Sequence, residues 1–254
     1  MYGWRGRVGM VNPSRGDTLI YEFYKAAPEG LVVVPAALGV QRVAADQLTA
    51  ILDRYEAAVQ EMVYEECDVI VVGGSPPVLS GPPGTEERLL AAAQRAASVP
   101  VFLHIRAEVE AVQATGARRI ALGAPYPCAI TEKWQAYFEA QGIEVVASHT
   151  LDIERNIELA KLPPYAAYRV AREVFERAGG AVDAVHLTCP RWPTLGSLER
   201  LEQDLGLPVT SSSQSVIYGV LRRLRIRDQI DGYGSLLASL ARGAARATAQ
   251  PTPV

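Results

Sequence analysis

One thiol at the end of an apolar run is the group in this 254-residue chain best placed to do chemistry. Asp183-Ala184-Val185-His186-Leu187 has the pattern of a buried parallel strand, and it stops abruptly at Thr188-Cys189-Pro190-Arg191. Ligands of open α/β sheets bind at the carboxyl ends of the strands. A thiol presented there can give or accept a proton, or attack carbon, if its surroundings tune it. Free cysteine is otherwise among the most buried and inert residue types, so position rather than residue type carries this reading. Gly73-Gly74-Ser75 closes a second apolar run, leaving backbone N–H groups and a hydroxyl free near a ligand. Tyr126 stands between Pro125 and Pro127, held stiffly with its phenol free to donate. Donors converging on a developing carboxylate or enediolate form an oxyanion hole, a large catalytic contribution. Ser211-Ser212-Ser213 reads as a turn or as polar lining, and His186, inside its strand, as core.

These residues need a scaffold that brings distant strand ends together. Apolar strands are expected at 7–11, 31–35, 68–72, 99–103, 119–123, 143–146 and 207–210, besides the strand that runs up to Cys189. Helical spacing covers 46–66, 86–97, 107–115, 131–141, 164–178, 195–205 and 214–222. Strand and helix alternate throughout, which predicts parallel sheets with helical crossovers. The programme also runs twice. Arg7-Val8-Gly9-Met10-Val11-Asn12 matches Arg119-Ile120-Ala121-Leu122-Gly123-Ala124, Asp68 to Ser75 matches Asp183 to Cys189, and Val99-Pro100-Val101 matches Leu207-Pro208-Val209. The fold class is therefore α/β, with two pseudo-symmetric halves, each a parallel sheet flanked by helices, and the site in the cleft between them. The first half spans 1–113 and is completed by 214–240, the second spans 114–213, and 241–254 reads as a loose tail. Symmetry alone gathers Asn12, Gly73 to Ser75, Tyr126 and Thr188-Cys189 at one cleft.

Composition narrows the chemistry further. The formal net charge of −3 leaves no basic footprint for nucleic acid. No apolar stretch approaches the roughly 18 residues of a membrane span, and the first residues lack the apolar core of a signal peptide. Cys67, Cys128 and Cys189 are odd in number and far apart, which argues against a disulfide framework. The three histidines stand in no metal-ligand spacing. The expectation is a cytoplasmic protein in a reducing compartment, using no metal and no cofactor, acting on a small molecule. A homo-oligomer stays open.

At these residues the chain resembles the aspartate/glutamate racemase superfamily, in its branch of maleate cis-trans isomerases and arylmalonate decarboxylases. The resemblance covers most of residues 7–240 and is strongest from Arg119-Ile120-Ala121-Leu122 through Tyr126, Cys189 and Pro208 to Ser213, then Gly232-Tyr233-Gly234. It implies two α/β halves around the site, no cofactor, and a small dicarboxylic acid as substrate. Isomerases and racemases of this superfamily carry a cysteine from each half. Here the second-half position is Cys189 and the first-half position falls on Gly73, as in the arylmalonate decarboxylases. By resemblance, Ser75 and Tyr126 help hold the carboxylate that becomes an enediolate, Cys189 protonates that enediolate, and the departing carboxylate lies in an apolar pocket. Gly73, Gly74, Thr188 and Pro190 complete the reacting end. Asn12, beside Pro13, and Asn156 resemble the isomerase pattern for holding a diacid's carboxylate. Gly74 and Pro190 stand where the decarboxylases have threonine and glycine.

The resulting expectation is a cofactor-independent decarboxylase of a malonate-type diacid. The alternatives are a cis-trans isomerase or racemase of a small diacid, and a catalytically silent carboxylate binder.

Overall fold

The computed structural model describes residues 2–248. Its first half alternates β1 (Gly6–Asn12), α1 (Asp17–Ala26), β2 (Leu31–Ala37), α2 (Ala45–Thr49), α3 (Tyr55–Tyr64), β3 (Val69–Val72), α4 (Ser75–Ser80), α5 (Thr85–Ala96), β4 (Val101–Leu103) and α6 (His104–Ala114). The second repeats the theme with β5 (Arg119–Ala124), α7 (Cys128–Ala140), β6 (Glu144–Thr150), α8 (Asn156–Ala160), α9 (Pro164–Arg177), β7 (Ala184–Leu187), α10 (Leu198–Leu205) and β8 (Val209–Ser211). Helices α11 (Ser212–Arg223) and α12 (Ser235–Thr248) follow.

Two four-stranded parallel sheets result, ordered β2-β1-β3-β4 and β6-β5-β7-β8. Every residue of β3 and of β7 is buried. Unbroken apolar runs are what a parallel strand needs when helices cover both faces. The two strand orders are the same permutation, so each sheet reverses direction at one place, between β1 and β3 and between β5 and β7. That reversal is where an open α/β sheet leaves a crevice at its carboxyl edge. Asn12 ends β1 and Gly73 follows β3, whereas Tyr126 and Cys189 follow β5 and β7. The halves meet through α11, which leaves β8 and packs on α6 and α1 of the first half.

Several local expectations change. The helix expected over 46–66 breaks into α2, a 3-10 turn at Leu52–Arg54, and α3. Thr49 Oγ bonds back to the Ala45 carbonyl at 2.9 Å, and such back-bonds compete with helix continuation. Tyr55, buried, spends its hydroxyl on the Gly73 carbonyl at 2.8 Å. Helices α1 and α8 were not foreseen. Helix α4 starts directly at Ser75, with Pro76 and Pro77 in its first turn, where a missing N–H costs nothing. The tail begins later than expected: α12 runs to Thr248, because Ala241, Ala244, Ala245 and Ala247 are strong helix formers. Residues 249–254 of the expected tail lie outside the described residues. Among the described residues no helix is long and apolar enough to cross a membrane.

Candidate active site

Cys189 sits two residues beyond β7. The Thr188 N–H still donates to the Gly123 carbonyl at 3.0 Å, extending the ladder by one step. Cys189 then turns out of the sheet with φ of +88°, a left-handed value rare for a side-chain-bearing residue. Its N–H donates to Ser212 Oγ at 2.7 Å, and the Arg191 N–H approaches the sulfur at 3.4 Å. The thiol is buried. Burial pushes it up to about 12, and the neighbouring Tyr126 hydroxyl and the Arg191 N–H offset this only in part. It therefore holds its proton at neutral pH. Burial also raises the Tyr126 phenol, and the thiol beside it adds to that rise.

The thiol faces a small cavity of about 50 Å³ at the meeting of the two halves. Asn12, Pro13 and Gly74 line it from the first half; Tyr126, Asn156 and Pro190 line it with Cys189 from the second. Val40, Val43 and Leu48 supply an apolar wall. Asn12 Nδ2 donates to the Met10 carbonyl at 3.3 Å and Asn156 Nδ2 to the Val40 carbonyl at 3.4 Å. Each carboxamide keeps a second N–H for a ligand. The Asn156 bond crosses between halves, as do Asn156 N–H to Gln41 at 3.0 Å and Val43 N–H to Glu154 at 2.8 Å. These contacts close one side of the cleft.

Three other expected residues stand behind the cavity wall. The Gly73 N–H is spent on the Val11 carbonyl at 2.6 Å. A Cβ on Gly73 would lie 2.7 Å from that oxygen and 2.9 Å from Asn12 Oδ1, closer than packed atoms approach. Ser75 turns its hydroxyl away to Glu108 Oε1 at 3.1 Å. Thr188 is fully buried, with its carbonyl accepting from Trp192 Nε1 at 2.9 Å.

Behind Cys189 lies a buried network centred on Glu108, which the linear reading did not find. Glu108 Oε2 accepts from Ser212 Oγ at 2.5 Å and faces His186 Nε2 at 2.9 Å. His186 Nδ1 meets Thr210 Oγ at 2.8 Å, an arrangement that puts the ring proton on Nε2, toward the carboxylate. His104 Nε2 lies 3.4 Å from Glu108 Oε1. Burial alone would raise the Glu108 carboxyl, but the two imidazoles and Ser212 outweigh it and hold it below the ordinary range. His104 is pushed down by its burial. The detectable signal was a charged residue on the buried stripe of α6, four positions after His104. His186 is buried as expected, but it is bonded rather than merely packed.

Glu22 was also missed. Its Oε1 accepts the N–H groups of Thr194 and Leu195, both at 2.8 Å, and so caps the segment after Cys189 from the opposite half. Burial raises its carboxyl. Among the described residues no group of three or more His, Cys, Asp or Glu side chains is arranged to hold a metal ion.

Two sheets of identical strand order, with their crevices opening on one buried thiol, define a pseudo-symmetric two-lobed α/β protein. The chain belongs to the arylmalonate decarboxylase family, whose model matches residues 8–237. It is 26% identical over 245 residues to a maleate isomerase of Geobacillus stearothermophilus, covering 91% of this chain and 97% of that one. It is 21% identical over 215 residues to an arylmalonate decarboxylase of Bordetella bronchiseptica, covering 85% and 89%. Among solved structures it resembles a Nocardia farcinica maleate cis-trans isomerase carrying a covalently bound succinylcysteine intermediate, with a TM-score of 0.83, 26% identity, and coverage of 92% and 98%. These relatives are enzymes, named for small dicarboxylic acids, and they fit the branch of the aspartate/glutamate racemase superfamily that the sequence resembles.

Proposed function

We propose that the chain is a cofactor-independent decarboxylase of a malonate-type dicarboxylic acid, with Cys189 as its proton donor. The observation that carries this reading is a single thiol at the cavity, buried and held protonated. Neither Cys67 nor Cys128 lines that cavity. The α-carbon of the bound diacid would lose one carboxylate as carbon dioxide: the C–C bond breaks and its electron pair stays behind as an enediolate. Tyr126 donates to the carboxylate that becomes the enediolate, and Asn12 and Asn156 are placed to orient the diacid. The apolar wall of Val40, Val43 and Leu48 suits the departing carboxylate, because neutral carbon dioxide loses nothing there. The Cys189 S–H bond then breaks, its proton passes to the α-carbon, and water reprotonates the thiolate. Gly73, Ser75, Thr188 and Pro190 shape this site: Ser75 through Glu108, Pro190 by lining the cavity beside Cys189 without an N–H of its own.

A maleate cis-trans isomerase is the second reading, favoured by the relatives of that name and by the two asparagines at the cavity. Addition of sulfur to a double bond needs a thiolate, and burial raises the Cys189 thiol so that it keeps its proton at neutral pH. That favours the acid over the nucleophile. A silent carboxylate binder is the third reading.

Proton NMR in deuterated water with phenylmalonate, methylmalonate and maleate tests all three. A deuterated monoacid from a malonate, reduced at least about 100-fold in Cys189→Ala, is the expected result for a lost general acid. Fumarate from maleate would replace this reading with the isomerase, and carboxylate binding without turnover would leave the binder.

A further inference from the structure

The cavity beside Cys189 adjoins a second space of about 520 Å³, and the two share Ser14, Val40, Asn156 and Arg191. The outer space is lined by four guanidinium groups, those of Arg15, Arg42, Arg155 and Arg191, and by no carboxylate. Acids do stand outside its lining. Arg42 pairs with Glu154 at 2.9 Å and Asp46 at 3.5 Å, and Arg155 with Glu158 at 2.8 Å. Arg15 is exposed and makes no ion pair among the described residues.

Arg191 differs from the other three. It is only 7% exposed, and Thr18 Oγ grips its backbone carbonyl at 2.9 Å. Asp17, largely exposed, forms an ion pair with its Nη1, yet neither Nη1 nor the buried Nε makes a hydrogen bond. A buried charged donor left unmade is costly, and a native structure usually has a use for one. Here the missing partner is an acceptor, and the guanidinium stands on the boundary between the two cavities.

Position decides what reaches it. Asn156 and Arg191 line both spaces, so a side group that leaves the inner cavity on that side enters the arginine-lined one.

We infer that the substrate's side group is itself anionic, a carboxylate on a short chain that passes Arg191 and ends between Arg191 and Arg15. The preferred substrate class is then the carboxyalkyl malonates rather than the arylmalonates. This rests on the malonate reading of the reaction above. Arg15, the guanidinium there that makes no ion pair among the described residues, adds an attraction for a carboxylate that weakens with salt.

The test compares ethane-1,1,2-tricarboxylate with phenylmalonate on the wild-type protein, Arg191→Gln, Arg191→Lys and Arg15→Gln. Wild type should favour the tricarboxylate at least 10-fold in kcat/KM. Arg191→Gln should raise its KM about 10- to 100-fold, the scale of one charged hydrogen bond, and by a clearly larger factor than it changes the KM of phenylmalonate. Arg191→Lys should recover part of that loss. Arg15→Gln, an exposed change that leaves folding alone, should raise the tricarboxylate KM and flatten its dependence on salt. A wild-type preference for phenylmalonate, or an Arg191→Gln protein with an unchanged ratio of KM values, overturns the inference while leaving the decarboxylase intact. If nothing is turned over, the reaction reading falls instead. Calorimetric binding of ethane-1,1,2-tricarboxylate, expected to weaken at least 10-fold in Arg191→Gln, then decides the subsite by itself.

Discussion

The Cys189 N–H and the Ser212 hydroxyl lie 2.7 Å apart, and the same hydroxyl donates onward to Glu108. One serine thus holds the backbone of the thiol-bearing turn and links it to the buried carboxylate. Ser212→Ala leaves the Cys189 N–H and one Glu108 lone pair unpaired in the interior, at about 1–3 kcal/mol for such a group. Urea unfolding should show the unfolding free energy falling by that amount, with turnover reduced because the thiol loses its fixed position. An unfolding free energy within about 0.5 kcal/mol of wild type, the size of a surface change, would remove the link.

The left-handed backbone of Cys189 reverses an ordinary ranking. Glycine adopts φ of +88° without strain, whereas alanine does not. Cys189→Gly should therefore be more stable than Cys189→Ala by about 1 kcal/mol, although both lack the thiol. Paired thermal melts of the two variants check this, and a more stable alanine variant would contradict the strained turn.

Glu108 sets an acid limit. Its folded-state carboxyl lies below its ordinary value of 4.5, so its stabilisation is present above the carboxylate range and is lost as pH falls through the folded value. The depressed His104 acts in the same direction. Glu108→Gln should cost about 3 kcal/mol or more at pH 7, since it breaks a buried charge cluster. It should also flatten the decline in stability between about pH 5 and pH 3. Denaturant titrations across that range measure both effects.

Glu22 carries the opposite sign. Burial raises its carboxyl, so the folded protein holds that proton more tightly than the unfolded chain. Its contribution is complete below the ordinary carboxylate range and is lost as pH rises through the folded value. Glu22→Gln keeps a carbonyl oxygen for the Thr194 and Leu195 N–H groups and abolishes that loss. Its stability should match or exceed wild type at pH 8 and fall short near pH 4. Chemical denaturation at the two pH values would expose an error in sign.

Alkylation separates the three thiols. Cys128 is exposed, whereas Cys67 and Cys189 are buried and raised to about 11 and about 12. Iodoacetamide at pH 8 should label Cys128 first, with Cys189 slower by at least about 100-fold, since the thiolate is the reacting form. Peptide mass mapping gives the order. Rapid labelling of Cys189 would instead favour the nucleophilic chemistry of the isomerase reading.

Gly73 tests the packing where β3 ends against β1. A Cβ there meets the Val11 carbonyl at 2.7 Å, a backbone atom that yields little. Gly73→Ala should cost about 1–3 kcal/mol, the range for overpacking. A melt unchanged from wild type would mean that β1 and β3 can separate at their ends.

Much of this protein is legible along the chain because its signals are local. The fully apolar runs Val69–Val72 and Ala184–Leu187 announce parallel strands, and the repeat of Asp68 to Ser75 in Asp183 to Cys189 announces the second half. The position of Cys189 at a strand end follows from the same pattern. The helix expected over 46–66 failed because its apolar spacing persists through Leu48, Ile51 and Tyr55 while Thr49 and the Leu52–Arg54 turn reshape the backbone. What periodicity could not supply was the partner of each polar group. Ser75 turned to Glu108 rather than to the cavity, and Glu108 reached Ser212 across 104 positions of sequence. Glu22 reached Thr194 across 172. Arg191, ordinary in the sequence, became a buried guanidinium with a free Nε only when α1 and the β7 turn closed on it. Spacing along a chain specifies which face a side chain occupies; which distant group it meets there is decided only when the two sheets are packed.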